Sequence, residues 1–157
     1  MKSHPWQPSS PIQAISFDCD GTLSTIEGID HLAKLNSQFD RVRQLTQQAM
    51  EKTGLSLSLY NERLKIVQPT QQQLHQLSDM YFNHLTDGAQ QVIALFQKLN
   101  KAIFIISAGN NPAVSLLGER LHIPQEHCFA VDLYFDSNGK YQGLDQDSPL
   151  INRYGKN

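Results

Sequence analysis

An apolar run that leads straight into two aspartates one residue apart constrains this chain most: residues 14–23 read Ala-Ile-Ser-Phe-Asp-Cys-Asp-Gly-Thr-Leu. Side chains alternate along a strand, so continued extension sends Asp18 and Asp20 to one side and Cys19 to the other. Gly21 then allows a sharp turn, and Thr22 adds a hydroxyl just beyond it. Two carboxylates crowded at the carboxyl end of a strand repel one another unless a cation or a proton intervenes. That pairing suits a Mg²⁺ site in which one carboxylate attacks phosphorus and the other handles a proton. A bare Asp-x-Asp is commonly just a polar turn, but the apolar strand before it and the Gly-Thr after it favour the chemical reading.

The remaining pattern is that of an α/β chain with a helical insert. Residues 1–11, with three prolines and a lone Trp6, read as a mobile leader. Ile12–Phe17 is a short apolar strand of the kind covered on both faces. Residues 28–50 show apolar positions at three and four, and residues 55–67 continue in the same way. Thr70 with Gln73 forms a capping box that opens a helix through Leu74, Leu77 and Tyr81. Residues 27–85 are therefore expected to form a helical cap, inserted into a core of 12–26 and 86–157. Asp87 is expected to cap the next helix, whose stripe is Val92, Ile93, Leu95, Phe96 and Leu99. Ala102–Ile106 reads as a second buried strand, Pro112 as a helix start, Phe129–Leu133 as a third strand, and Asp136–Gly139 as a hairpin turn. Alternating strands and helices imply parallel crossovers, with ligands at the carboxyl ends of strands, where Asp18 and Ser107 both lie.

These segments together resemble the haloacid-dehalogenase-like phosphotransferases, and within them the phosphoserine phosphatase branch. Asp18-Cys-Asp-Gly-Thr-Leu is similar to the nucleophile motif, and Glu27-Gly-Ile-Asp-His-Leu-Ala to the entry into the helical cap. Ala49-Met50, Asn61-Glu-Arg63-Leu and Gln68-Pro-Thr70 resemble cap positions. Leu85-Thr-Asp-Gly88 is similar to the return to the core, Ile105-Ile-Ser107-Ala-Gly109 to the second motif, and Tyr154-Gly-Lys156 to the start of the third. The resemblance implies a Rossmann-like parallel sheet with an inserted cap, and a Mg²⁺-dependent phosphomonoesterase that forms an aspartyl phosphate.

It also implies a role for each residue. Asp18 would attack the phosphate ester and give Mg²⁺ a carboxylate oxygen. Asp20 would act as acid and then base, and give the metal its backbone carbonyl. Ser107, with the amides of Ala108 and Gly109, would hold phosphate oxygens. Lys156 would offset the repulsion between Asp18 and the phosphate, on the order of 4 kcal/mol per unit charge pair at 4 Å under partial screening. In the cap, Glu27 would meet the substrate ammonium and Arg63 its carboxylate, a bidentate task suited to guanidinium, with Met50 beside them. The expected substrate is phosphoserine.

The chain departs from that pattern in several places. Glu51 and Lys52 stand where the branch commonly has glycine, Ser56 stands where it has a phenylalanine that screens the site from water, and Ser107-Ala-Gly109 replaces Ser-Gly-Gly. The fourth motif, Gly-Asp-Gly-x-x-Asp, which brings a further metal carboxylate, does not occur in the 157 residues. On this reading the chain is cut short at its carboxyl end, with part of the core sheet missing and activity lost or impaired. An unpaired first strand is then expected to drive self-association. Two other functions stay open: hydrolysis of a different small phosphomonoester, and a non-catalytic fragment or binding protein.

Composition narrows the partners. A formal charge of −2 and no basic stripe argue against nucleic acid or a membrane surface. There is no apolar run of spanning length and no cleavable leader, and Cys19 and Cys128 do not make a disulfide framework. A cytoplasmic protein acting on a small phosphorylated molecule is expected. The six histidines lack zinc-site spacing.

Overall fold

The computed structural model of the chain describes residues 10–52 and 56–152, with the side chains of Met50, Lys52 and Asn152 outside that description. Strand β1 (Ala14–Phe17) is followed by four helices: α1 (Gly28–Leu35), α2 (Phe39–Lys52), α3 (Leu57–Val67) and α4 (Gln71–Asn83). Helix α5 (Ala89–Lys98) leads into β2 (Ala102–Asn111), and α6 (Ala113–Arg120) into β3 (Cys128–Phe135). Strand β4 (Tyr141–Leu144) and the short α7 (Pro149–Asn152) complete the described fold. The sheet order is β1-β2-β3-β4, with the first two pairings parallel and β3–β4 antiparallel. This is the α/β architecture expected, with helices between the first strand and the rest.

Local chemistry explains most boundaries. The Thr70 side chain accepts the Gln73 amide while the Gln73 side chain accepts the Thr70 amide, so the capping box forms as expected. Ser56 caps α3 by accepting the Leu59 amide at 3.2 Å, and Gln68 ends that helix in the left-handed region. In the hairpin turn, Asp136 Oδ1 accepts the amides of Asn138 and Lys140. The long helical stretch 28–50 is two helices, because Ser37 adopts φ 55° between α1 and α2.

Four expectations need correcting. The first strand covers only Ala14–Phe17, and it is not covered on both faces: Ala14 and Ser16 are exposed and Ile15 and Phe17 only half-buried. It lies at the edge of the sheet, so one flank lacks a neighbouring strand among the described residues. Asp87 does not cap α5, whose cap position is Gly88 at φ 83° with no side-chain bond. The α5 stripe is only partly covered, with Ile93 buried while Val92, Leu95 and Leu99 stay exposed. Finally, β2 does not end at Ile106 and is not wholly buried: Ile106 is exposed, and pairing resumes at Asn110↔Val131 and Asn111↔Asp132 after a break in register.

The core lies between the sheet and the helices. Leu32, Leu64, Leu74, Leu77 and Tyr81 of the insert pack in one cluster with Ile105, Val114, Leu117 and Val131. The break in the β2–β3 ladder falls across Ser107-Ala-Gly109, which frees that stretch to turn toward the end of β1. Such irregularities commonly re-aim residues next to functional sites.

Candidate active site

The loop after β1 meets the break in β2 at a cleft of about 190 Å³. That volume is smaller than the range typical of drug-sized ligands and suits a compact metabolite. Asp18, Asp20, Glu27, Arg63, Ser107, Ala108 and Gly109 all line it, so residues from 18 to 109 converge there. Met50 belongs to α2, and its side chain lies outside the described residues, as does Lys156 altogether. Five lining residues were not expected at the site: the apolar Ile29 and Leu64, and the polar Tyr60, Tyr81 and Asn110.

The two aspartates come together by a route other than strand alternation. The strand ends at Phe17, and the chain then coils, with Leu23 N donating to Asp18 O and both Thr22 N and Ser24 N donating to Cys19 O. Asp18 is exposed, its Oδ1 accepting the Cys19 amide at 2.6 Å. Cys19 itself is fully buried, and burial, with Asp20 and Asp18 adding to it, pushes its thiol far above the ordinary range. A neutral buried thiol is not a nucleophile.

Asp20 is held on one side. Its Oδ1 accepts the Gly28 amide at 2.6 Å and the Tyr81 hydroxyl at 2.8 Å. Gly28 has to lack a side chain, because a Cβ there would overlap the Tyr81 hydroxyl. The other oxygen, Oδ2, faces Gly109: a Cβ on that residue would lie 2.9 Å from it and 3.2 Å from Ser107 Oγ. Burial raises the Asp20 carboxyl above its usual range, while the Gly28 and Tyr81 hydrogen bonds pull the other way.

Ser107 is buried, and its Oγ accepts the Gly109 amide at 3.0 Å. The Gly109 N–H therefore faces Ser107 in this structure. Glu27 stands just before α1, where burial first, and then Asp20, Asp30 and Asp18, raise its carboxyl; Arg63 opposes them. Arg63 projects from α3, and its buried Nε has no hydrogen-bond partner. Such a group is costly to leave unmatched and suits an incoming anion.

Sequence reasoning missed the two tyrosines because both fit helical apolar stripes. Tyr81 is fully buried, and a buried phenol needs a partner for its hydroxyl. That requirement was the available signal. Nothing comparable marks Asn110.

No protein-family model matches the chain. It is 35% identical over 143 residues to the phosphoserine phosphatases of Bos taurus and Homo sapiens, an alignment covering 91% of this chain and 64% of theirs. The chain thus spans somewhat under two thirds of the length of those curated relatives. Among solved structures it is similar to a phosphoserine phosphohydrolase-like protein from Francisella tularensis, with a TM-score of 0.76 at 26% identity over 90% of this chain and 68% of that one. A substrate-bound phosphoserine phosphatase complex has the same fold at a TM-score of 0.74 and 20% identity, covering 92% of this chain and 67% of that one.

Proposed function

We propose that this chain, a relative of the phosphoserine phosphatases with the haloacid-dehalogenase-like α/β fold, provides the cleft of a phosphomonoesterase whose substrate is phosphoserine. The observation that carries the reading is the pairing of an exposed Asp18 with a clamped, partly desolvated Asp20 at one end of the cleft, with Glu27 and Arg63 flanking it. We read residues 27–85 as a cap and 12–26 with 86–157 as the core.

In this reading Asp18 attacks phosphorus in line and the P–O bond to the serine oxygen breaks. The leaving oxygen takes a proton from Asp20, whose burial favours the protonated form needed at that moment. Serine having left, water attacks the phosphorus of the aspartyl phosphate while Asp20 accepts its proton, and the bond between phosphorus and the Asp18 oxygen breaks, releasing phosphate and restoring Asp18. Ser107 donates its hydroxyl proton to a phosphoryl oxygen while its Oγ accepts the Gly109 amide. Arg63 pairs with the substrate carboxylate through its unmatched Nε, and Glu27 with the ammonium. Lys156, outside the described residues, is assigned to charge neutralisation.

The donors at the site fit a hard cation. Asp18 and Asp20 offer oxygen alone and the Cys19 thiol is buried and neutral, while no group of three or more His, Cys, Asp or Glu residues able to hold a metal ion by themselves occurs among the described residues. Mg²⁺ takes few protein oxygens and keeps several waters, so a carboxylate oxygen of Asp18 and the carbonyl of Asp20 would hold it. When bound it offsets phosphate charge.

The partner is then a small phosphorylated amino acid and not a nucleic acid or membrane. No helix among the described residues is long and apolar enough to cross a membrane.

Phosphate release from O-phospho-L-serine with Mg²⁺ tests the reading, together with Asp18→Asn. The expected result is weak release, in keeping with the impaired activity expected of a chain without the fourth motif, that the substitution abolishes, and a trapped phosphoryl adduct on the peptide containing Asp18. Release that survives Asp18→Asn would overturn it.

A further inference from the structure

Ser56 does not screen the cleft, because its side chain caps α3 by accepting the Leu59 amide. One turn further along that helix stands Tyr60, on the same face as Ser56 and one residue short of a full turn before Arg63. Tyr60 is buried, yet its hydroxyl reaches out of the insert and across to β2. It donates to the Ala108 carbonyl at 2.8 Å and accepts from Asn110 Nδ2 at 2.6 Å. Asn110 is also buried, so two hydrogen bonds join the Tyr60 hydroxyl to partners 48 and 50 residues away. Their direction is internally consistent: a phenol has one proton to give, and the asparagine amide can only donate. The Arg63 guanidinium carbon lies 5.9 Å from the centre of the Tyr60 ring, at the outer limit of a cation–π contact. Tyr60, Arg63, Ala108 and Asn110 line the cleft, and Ala108 and Asn110 flank Gly109, against which Asp20 Oδ2 rests.

We propose that Tyr60 is a positioning residue that latches α3 onto the end of β2, and through its ring holds Arg63 in the cleft that Asp18 and Ser107 also line. It thereby sets the preference for phosphomonoesters that carry a carboxylate. Loss of the hydroxyl removes the partner of the half-buried Ala108 carbonyl and of the buried Asn110 amide, so α3 and the 107–111 segment loosen together. The specificity half of this inference rests on the phosphomonoesterase reading of the cleft, and the latch itself does not.

The test uses the whole chain, with Tyr60→Phe, Asn110→Ala and the double variant, and with Lys65→Ala on the exposed side of α3 as control. Amide hydrogen exchange reads the latch without any substrate. Tyr60→Phe is expected to speed exchange roughly tenfold in both 57–67 and 107–111, the effect of losing about one net hydrogen bond. The double variant should be no faster than Tyr60→Phe, since both changes break one connection. Unchanged exchange at 107–111, or additive effects, would overturn the latch. Steady-state kinetics read the specificity. Tyr60→Phe is expected to raise KM for phosphoserine several-fold more than KM for phosphoethanolamine, which lacks the carboxylate, whereas a purely structural role would depress both alike. Equal shifts would overturn the role through Arg63. If exchange responds but neither compound is hydrolysed by the unsubstituted chain, the latch stands and the specificity role falls with the phosphomonoesterase reading.

Discussion

Tyr81 donates its hydroxyl to Asp20 across sixty-one residues of sequence, at 2.8 Å, and does so from a fully buried position in α4. The same carboxylate oxygen takes the Gly28 amide, so one oxygen is fixed by the helical insert and the other is left to face Gly109. The helices thus do more than cover the cleft: they orient the residue assigned to proton transfer.

Removal of that phenol should separate orientation from binding. Tyr81→Phe keeps the ring and deletes one of two donors to Asp20, a bond to a charged group that contributes roughly 1.5–3 kcal/mol. Phosphate release from phosphoserine is expected to slow about tenfold or more at saturation, with KM little changed, because the substrate contacts are untouched. A larger loss is expected for Gly28→Ala, whose Cβ would displace the Tyr81 hydroxyl. Saturation kinetics on both variants check the order.

Glu27 gives the pH dependence. Burial raises its carboxyl, with the neighbouring Asp20, Asp30 and Asp18 adding to the effect. A raised value means that protonation on acidification begins at a higher pH than for an ordinary carboxylate. Below that point the substrate ammonium loses its partner, so KM for phosphoserine should climb as pH falls through the raised value. Glu27→Gln should show a KM about tenfold higher at neutral pH and flat across the same range, a loss of the size expected for a charge-assisted hydrogen bond. A parallel pH series on phosphoglycolate, which has no ammonium, should show no such climb in the unsubstituted chain.

The packing of α6 on β3 makes a prediction about stability alone. Gly118 sits where a Cβ would overlap Cys128 Sγ, with Ile105 Cδ1 3.6 Å away. In an open helix Gly→Ala is stabilising, but here the added methyl meets a packed wall. Gly118→Ala is expected to cost about 1–3 kcal/mol, the usual range for overpacking. Cys128→Ala removes the obstructing sulfur, so the double variant should be more stable than Gly118→Ala by itself. Chemical denaturation of the three variants tests this, and a Gly118→Ala chain as stable as the unsubstituted one would refute it.

How much of this was readable in advance depended on distance along the chain. The capping box at Thr70 and Gln73 and the turn at Asp136 involve partners within four residues, and both formed as the sequence indicates. Asp18, Asp20 and Ser107 were legible as site residues because their types and order carry chemistry. Their arrangement was not legible, since the chain coils after Phe17 and Ser107 lies in a break of the β2–β3 ladder set by pairing at Asn110 and Asn111. The burial of β1 was misjudged because an apolar strand reads alike at a sheet centre and at its edge. Tyr60, Tyr81 and Asn110 escaped for the same reason: their partners are 48 to 61 residues away, and helical periodicity cannot tell a core tyrosine from one that bridges.

That edge yields the last prediction. Strand β1 pairs with β2 through Ala14↔Ala102 to Phe17↔Ile105, and its opposite flank faces no strand among the described residues. Close by in sequence Ile12 is half exposed, and Ile106 and Phe129, register partners on the neighbouring strands, are 45% and 47% exposed. An unpaired edge beside apolar surface is a template for strand addition, and a second copy of the same edge is always present at the same concentration as the first. The 157-residue chain is therefore expected to self-associate, with sedimentation and light scattering giving a mass that rises with concentration. A lysine on the free edge charges the template while leaving the β1–β2 ladder and the cleft in place, so Ile12→Lys or Ser16→Lys should shift the population toward monomer and leave Tm within a few degrees. A monodisperse monomer of the unsubstituted chain across the concentration range would rule out pairing through β1. Association that persists unchanged in both lysine variants would instead direct attention to the exposed face of α5, where Val92, Leu95 and Leu99 stand uncovered.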